Sequence, residues 1–388
     1  MELISKILFW ISIGLFIHIY FLYPLSIWII WLFRKKNYIS DPNYRPLVSV
    51  LISVFNEEKV IEKTIRTLFA SDYPSDKIEV IVGSDNSSDS SNNILMALNS
   101  EFPQLKAFLF NERRGKARVL NDLVKQASGE ILVFCDANTI YMKDSLKNLL
   151  CEYKDERVGG ISGKLVLQEY EESINSGTKE KTYWDLETLL KEKEGELGKL
   201  IGANGGIYSI RKELFTDIPI EHPVMDDFYL SMKILEKKKD FLYKSKAIAE
   251  ELTAPDIKAE FRRKIRNNSI NLSTVRAIKK ILLPSYGLAS YGLWSHKIIR
   301  WYSPVILLLI FASNFFLIYE DELYKNALFL QIIIYLLSLV GYVLQKIKIR
   351  IVPFQVLFYF VMTNVAMLIG IIKFITGRQT AFWQSTPR

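Results

Sequence analysis

Residues 131–138 read ILVFCDAN: five apolar residues, Ile131 to Cys135, run unbroken into Asp136, and Asn138 follows one alanine later. An apolar run of this length ended by polar residues predicts a strand buried on both faces, the signature of a parallel sheet. In open α/β sheets, ligands bind beyond the carboxyl ends of such strands. Asp136 and Asn138 lie two residues apart, so they share one face of an extended chain. Two oxygen donors so placed suit one hard cation, which can in turn hold a phosphate. A strand closed by an Asx-rich turn accounts for the same residues without a ligand.

The pattern repeats on the N-terminal side. Val48–Phe55, Glu79–Gly83 and Ala107–Phe110 are short β-rich runs, and Lys59–Ala70, Ile94–Leu98 and Lys116–Ala127 carry helical apolar spacing between them. Alternating strands and helices predict a mostly parallel sheet covered on both faces. Polar residues follow the strands, so one rim collects Asn56, Glu57, Asp85, Asp89 and Asp136. Val158–Leu167 is a further strand candidate, and Glu169–Leu200 reads as a charged helix with a solvated outer face. Gly202, Gly205 and Gly206 within Ile201–Ile210 allow close backbone approach to a ligand. Asp226 and Asp227 precede a helical run, Phe228–Leu235, where acidic residues also serve as ordinary helix caps.

The two ends differ from the middle. Leu3–Phe33 is almost continuously apolar, longer than the roughly 20 residues that cross a bilayer. It lacks a basic leader and a small-residue cleavage site, which predicts a retained anchor and not a cleaved signal. Arg34, Lys35 and Lys36 follow, so the positive-inside rule places the middle of the chain in the cytoplasm. Ile298–Ile318, Leu328–Leu344 and Ile351–Ile375 are three more apolar stretches, separated by an acidic loop (Glu320–Glu322) and a basic one (Lys346, Lys348, Arg350). The side of the tail, Arg378–Arg388, stays open. In 388 residues with 49% hydrophobic and 24% charged content, this describes a water-exposed middle between apolar ends. The expected organisation is an N-terminal anchor (1–36), a cytoplasmic α/β domain (45–256), a basic interfacial region (257–297), C-terminal membrane helices (298–375) and a tail (376–388).

Cys135 and Cys151 are the two cysteines, and Cys135 falls in the predicted buried strand, which argues against a disulfide framework. His18, His222 and His296 have no zinc-type spacing. The net charge of +8 suits anionic phosphates, nucleic acid or lipid headgroups alike. Glu260–Lys280 is strongly basic and reads as a headgroup-layer helix, a phosphate clamp or an RNA-binding segment. Few aromatic residues interleave with its charges, and the predicted rim is acidic, both of which disfavour nucleic acid.

Together these segments resemble the membrane-embedded family 2 glycosyltransferases, which include hyaluronan, cellulose and poly-N-acetylglucosamine synthases. The resemblance runs from Val48 to Arg388. VSVLISVFNEE is similar to the family's first strand and nucleotide loop, SDNSSD (84–89) to its DGSxD-type element, and RRGKARVLND (113–122) to its GKxxALN element. CDAN (135–138) stands where the family has DxD. ANGGIYSIRKELF (203–215) resembles the acceptor-side glycine-rich element, and DDFYLSMKI (226–234) the ED motif. FRRKIR (261–266) occupies the QxxRW region, and SHKIIRWYSP (295–304) and FWQSTPR (382–388) resemble bacterial members.

The resemblance implies a Rossmann-like GT-A domain flanked by one N-terminal and about three C-terminal transmembrane helices in a bacterial inner membrane. It implies a metal-dependent, inverting transfer of sugar from a nucleotide-diphosphate donor, UDP-linked, to a growing surface polysaccharide. Phe55, Asn56, Glu57, Asp85, Lys116 and Asp136 would bind the nucleotide, with Asp85 accepting from a uracil N–H. Asp136 and Asn138 would hold Mg or Mn, with Asn138 standing in for an aspartate. Asp227 would be the general base and Asp226 its orienting neighbour. Gly205, Gly206, Arg263 and Arg266 would serve the diphosphate and the acceptor. Asn267 replaces the tryptophan of QxxRW, which removes an aromatic face for an acceptor sugar. That departure keeps a second acceptor in view: a polyprenyl-linked glycan receiving a single sugar, at a surface in contact with membrane lipids.

Overall fold

The structure is a computed structural model that describes residues 2–168, 177–252, 257–349 and 351–378, with the side-chain surroundings of 177–186 and Leu252 left out. Among the described residues eight strands form one sheet: β1 (Val48–Val54), β2 (Ile78–Asp85), β3 (Leu105–Phe110), β4 (Ile131–Asp136), β5 (Ile140–Tyr141), β6 (Val158–Gln168), β7 (Tyr208–Arg211) and β8 (Asp240–Leu252), in the order β3-β2-β1-β4-β7-β6-β8-β5.

The expected strands sit at the expected places. β1 pairs in parallel with β2 and β4, and β2 with β3. Because alternate residues face opposite sides, β1 feeds two cores. Val48, Val50, Ile52 and Val54 pack with helices Ile61–Phe69 and Ser91–Glu101. Leu51 faces the other layer with Ile81, Leu132 and Phe134, under helices Lys116–Gln126 and Asp226–Glu236. Cys135 and Cys151 are both free thiols.

Beyond β4 the sheet becomes mixed. β7 runs antiparallel to both β4 and β6, while β6 and β8 pair in parallel and β5 lies antiparallel to β8. Phe134 of β4 and Tyr208 of β7 are register partners, and their rings stack at 4.6 Å and 5°. This pair holds the carboxyl end of β4 against the glycine-rich turn 202–206.

Among the described residues three helices are long and apolar enough to cross a membrane: Glu2–Arg34, Glu322–Lys346 and Val352–Ile375. The expected span Ile298–Ile318 is not one straight helix. It is the second half of a bent pair, Leu288–Trp301 and Ser303–Leu317, which meet at 61° and bring the number to four if they form one broken span. Pro304 opens the second half, where it cannot donate an N–H to the preceding turn. Ser303–Leu317 has 15 residues, so it is about 22 Å long, short of the roughly 30 Å hydrocarbon core. The basic segment forms helix Ile257–Ala277 and packs on Val352–Ile375, with Asn268 Nδ2 donating to the Met367 carbonyl at 2.9 Å and Arg276 over the Phe374 ring at 4.4 Å. Residues 379–388, with the FWQSTPR segment, lie outside the described residues.

Candidate active site

A cleft of about 440 Å³ opens at the carboxyl ends of β1, β2 and β4 and is closed on the far side by helix Ile257–Ala277 and the end of helix Leu288–Trp301. Among the described residues its lining carries eight cations (Arg113, Arg114, Lys116, Arg118, Lys191, Arg263, Arg266, Lys297) against five carboxylates (Asp85, Asp136, Asp226, Asp227, Glu251). Such a balance favours an anionic ligand.

At the β2 end, Asp85 is almost fully buried, and its two oxygens accept the backbone N–H groups of Arg114 (2.6 Å) and Gly115 (2.9 Å). Asp85 thereby fixes the loop that leads into helix Lys116–Gln126. Gly115 supplies the φ of +82° from which that helix starts, a conformation that favours glycine. Phe55, just past β1, carries the Arg113 guanidinium 3.4 Å from its ring centroid. Asn56 and Glu57 are placed behind this wall and do not line the cleft. Asn56, at φ 54°, accepts from Ser88 N–H at 2.8 Å, and Glu57 N–H donates to Ser91 at 2.9 Å. They brace the loop after β2.

At the centre, Lys116 Nζ lies 2.8 Å from Asp136 Oδ1 and 3.1 Å from Asp226 Oδ2. Burial opposes its charge, but the two carboxylates outweigh burial and hold the ammonium charged. Asp226 is buried and also lies 3.4 Å from the Tyr208 hydroxyl, so the β4–β7 ring stack positions it. Asp227 faces the cleft instead, with Oδ1 accepting its helix's Phe228 N–H at 2.7 Å. Burial and the adjacent Asp226 push the Asp227 carboxyl up to about 7, against the pull of Lys116 and the Phe228 N–H. Gly205 is the floor between the carboxylates: a Cβ there would lie 3.2 Å from Asp227 Oδ2 and 3.4 Å from Asp136 Oδ2. Gly206 packs instead on Thr139, whose Oγ1 a Cβ would meet at 2.5 Å.

Asn138 donates from Nδ2 to Glu251 Oε1 of β8 at 2.9 Å. Among the described residues no group of three or more His, Cys, Asp or Glu is arranged to hold a metal. Asp136, the Asn138 amide oxygen and nearby Glu251 are nonetheless hard oxygen donors. Mg-type sites commonly take one or two carboxylates and complete the shell with substrate phosphates and water. These residues fit a cation of that kind, completed by a diphosphate. Arg263 and Arg266 reach the cleft from the basic helix. Arg263 Nε donates to Glu260 at 2.7 Å, while burial and Arg263 lower the pKa of the Arg266 guanidinium.

Glu251 and Lys191 are cleft residues that carried no sequence signal as site residues, and Lys297 and Trp301 lie in SHKIIRWYSP, a segment that the sequence singled out without a role. Glu251 ends a strand with no clean periodicity, Lys191 sits in a charged helix, and Lys297 and Trp301 border an apolar run. Lys191 Nζ donates to Asn204 Oδ1 at 2.6 Å, and burial first, then Lys297, lowers it to about 8.

Residues 49–218 match the family described as "Glycosyl transferase family 2". The chain therefore contains a family 2 glycosyltransferase domain, and its sheet and flanking helices make a GT-A-like fold. It is 28% identical over 213 residues to a β-monoglucosyldiacylglycerol synthase of Trichormus variabilis, covering 53% of this chain and 45% of that protein. It is 23% identical over 225 residues to a poly-β-1,6-N-acetyl-D-glucosamine synthase of Staphylococcus epidermidis, covering 56% and 53%. The chain thus matches about half the length of these curated relatives. The fold is shared with the mannosyltransferase PcManGT of Pyrobaculum calidifontis, solved with GDP-Man and Mn2+, at a TM-score of 0.70 and 21% identity over 96% of this chain and 100% of that one.

Proposed function

We propose that this chain moves a glycosyl group from a nucleotide-diphosphate sugar, UDP-linked, to a hydroxyl of a growing surface polysaccharide, with inversion. One observation carries the reading: Asp227, raised in pKa, faces a cleft whose floor at Gly205 also meets Asp136, while Lys116 ties Asp136 to Asp226. In this reading Asp227 Oδ2 takes the acceptor hydroxyl proton as that oxygen attacks the anomeric carbon, and the bond from that carbon to the diphosphate breaks. An α-linked donor gives a β-linked product. Asp226 stays with Lys116 and Tyr208 and orients its neighbour. Lys116, Arg263 and Arg266 meet the charge that develops on the leaving diphosphate. Mg or Mn held by Asp136 and Asn138 would supply further stabilisation of that charge. Phe55 and Asp85 lie at the end of the cleft suited to the base, with Asn56 and Glu57 bracing it. The Asp85 oxygens already take two backbone N–H groups, so a base contact there would use their remaining lone pairs.

We take residues 45–256 as the catalytic unit on the cytoplasmic side of a bacterial inner membrane, with 1–36 as anchor, 257–297 as the interfacial region and 298–375 as membrane helices. A second acceptor, a polyprenyl-linked glycan receiving one sugar, is favoured by Asn267 at the aromatic position and by a cleft wall formed from the bent helix that leads into the apolar segments. Nucleotide release across a panel of UDP- and GDP-sugars with Mn2+, read together with product length, tests both. A long chain or ladder sinks the single-addition reading, and no release with any donor sinks the transferase reading.

A further inference from the structure

Helix Gly177–Glu196 bonds to the glycine-rich turn 202–206 at two points. Just before the turn, Glu194 Oε2 accepts the Ile201 N–H at 3.1 Å. Inside it, Lys191 Nζ donates to Asn204 Oδ1 at 2.6 Å, and both side chains are buried. The other polar atoms of Asn204 bond to β6 and to the turn itself. Its N–H donates to Ser162 Oγ at 2.9 Å, its Nδ2 donates to the Gly163 carbonyl at 2.6 Å, and its carbonyl accepts the Ile207 N–H at 3.0 Å. Gly205 follows directly, with the carboxylates of Asp227 and Asp136 next to it. The floor therefore sits where Asn204 sets it, and Lys191 supplies a bond to Asn204 from outside the sheet.

We propose that Lys191 is a positioning residue for transfer: through Asn204 it holds the turn 202–206, and with it the Gly205 floor, in register with Asp227 and Asp136. This rests on the transferase reading above. The strength of the hold depends on charge. Lys297 from helix Leu288–Trp301, Glu187 and Glu194 from the same helix as Lys191, and Asp227 from helix Asp226–Glu236 surround the ammonium, and the Tyr243 phenol of β8 is close to Asn204. Burial and Lys297 together outweigh the three carboxylates and bring Lys191 down to about 8. The ammonium is present below that pH and is lost above it. A neutral amine donates a bond about half as strong as a charged one, so the turn loosens as pH rises and transfer falls, without Lys191 touching the substrate. Asp227 ionises through about 7 on the acid side, which leaves a narrow optimum between the two groups.

The test is hydrogen–deuterium exchange of the full chain in nanodiscs, followed at the amides of 202–207 below and above pH 8. On the acid side Lys191→Met speeds their exchange about tenfold over wild type, the loss of one buried hydrogen bond from a charged group, and on the alkaline side the ratio shrinks. Asn204→Ala gives a similar rise on both sides. Lys191→Arg, charged throughout, stays near wild type on both. An unchanged turn in Lys191→Met overturns the proposal, and so does faster exchange spread evenly over the chain, which marks lost stability alone.

Nucleotide release from the best donor is the second readout. In wild type kcat has an alkaline limb near pH 8. Lys191→Met lowers kcat about tenfold, with donor KM little changed and the limb gone, while Lys191→Arg recovers most of the rate and moves the limb upward. Lys191→Arg and the wild-type limb keep the test decisive where Lys191→Met folds poorly. A limb that persists in Lys191→Met overturns the proposal. So does an acid limb that moves while exchange at the turn does not, because Lys191 then acts on Asp227 by charge alone. Lys191-dependent exchange at the turn without nucleotide release from any donor refutes only the transfer chemistry.

Discussion

Alanine at Gly205 puts a methyl group between the carboxylates of Asp227 and Asp136. Its Cβ would sit 3.2 Å from the Asp227 oxygen and 3.4 Å from the Asp136 oxygen. The first contact is tight and the second ordinary, so Asp227 must give by a few tenths of an ångström. Gly205 is not among the glycines with positive φ, so alanine meets no backbone strain. Removing a glycine from the unfolded ensemble contributes about 0.4–1 kcal/mol of stability, which offsets the tight contact. Misplacement by 1 Å at a reacting centre costs about 100-fold in rate, so a smaller shift plus the volume taken from the acceptor predicts a 10- to 100-fold loss of kcat, or about 1.4–2.7 kcal/mol in the barrier. Gly206→Ala is the control. Its Cβ would meet Thr139 Oγ1 at 2.5 Å in a fully buried wall, so overpacking of about 1–3 kcal/mol should lower Tm instead. Nucleotide release and thermal unfolding of both variants decide the matter. Gly205→Ala with full kcat, or with a Tm loss as large as that of Gly206→Ala, refutes the placement of Gly205 as the floor between the carboxylates.

Other outcomes follow from the same geometry. The raised Asp227 carboxyl must be ionised to act, so kcat/KM falls as pH drops through about 7, and a pH–rate profile checks the position of that limb. Lys116→Met moves the limb to higher pH, because Lys116 is the cation that opposes the rise. Chelation with EDTA abolishes nucleotide release and Mn2+ restores it in the wild type, whereas Asp136→Asn needs far more Mn2+ for half-activation. Glu194, buried against Tyr23, His296 and the Ile201 N–H, loses all three partners in Glu194→Leu, which costs about 3–5 kcal/mol and is read as a fall in thermal midpoint.

The parallel half of the fold was legible because its strands are continuous apolar runs that stop at polar residues, as Ile131–Asp136 does. The mixed half was not. β8 intersperses lysine and glutamate with Phe241, Leu242, Ala247 and Ala249, and its partner β6 lies some 80 positions earlier, so neither composition nor local spacing marks Glu251 as a cleft residue. Asp136, Asp226 and Asp227 were readable as acids at element ends, yet only the tertiary fold shows that Lys116 joins two of them. An isolated lysine opening a helix looks solvent-facing, and here two carboxylates from other elements draw it inward. Asn138 was readable as a strand-end oxygen donor, but not its hydrogen bond to Glu251. The bend at Tyr302 was hidden in an apolar run, where hydropathy does not distinguish a span from a helix broken before Pro304.

The central claim, that Asp227 removes the acceptor proton during transfer from a nucleotide sugar, is tested most directly by comparing nucleotide release from the best donor in wild type and Asp227→Asn, with Mn2+ and acceptor present. The account predicts a loss of about 100- to 10,000-fold in kcat with the fold and donor affinity retained. Equal rates in the two proteins would contradict it.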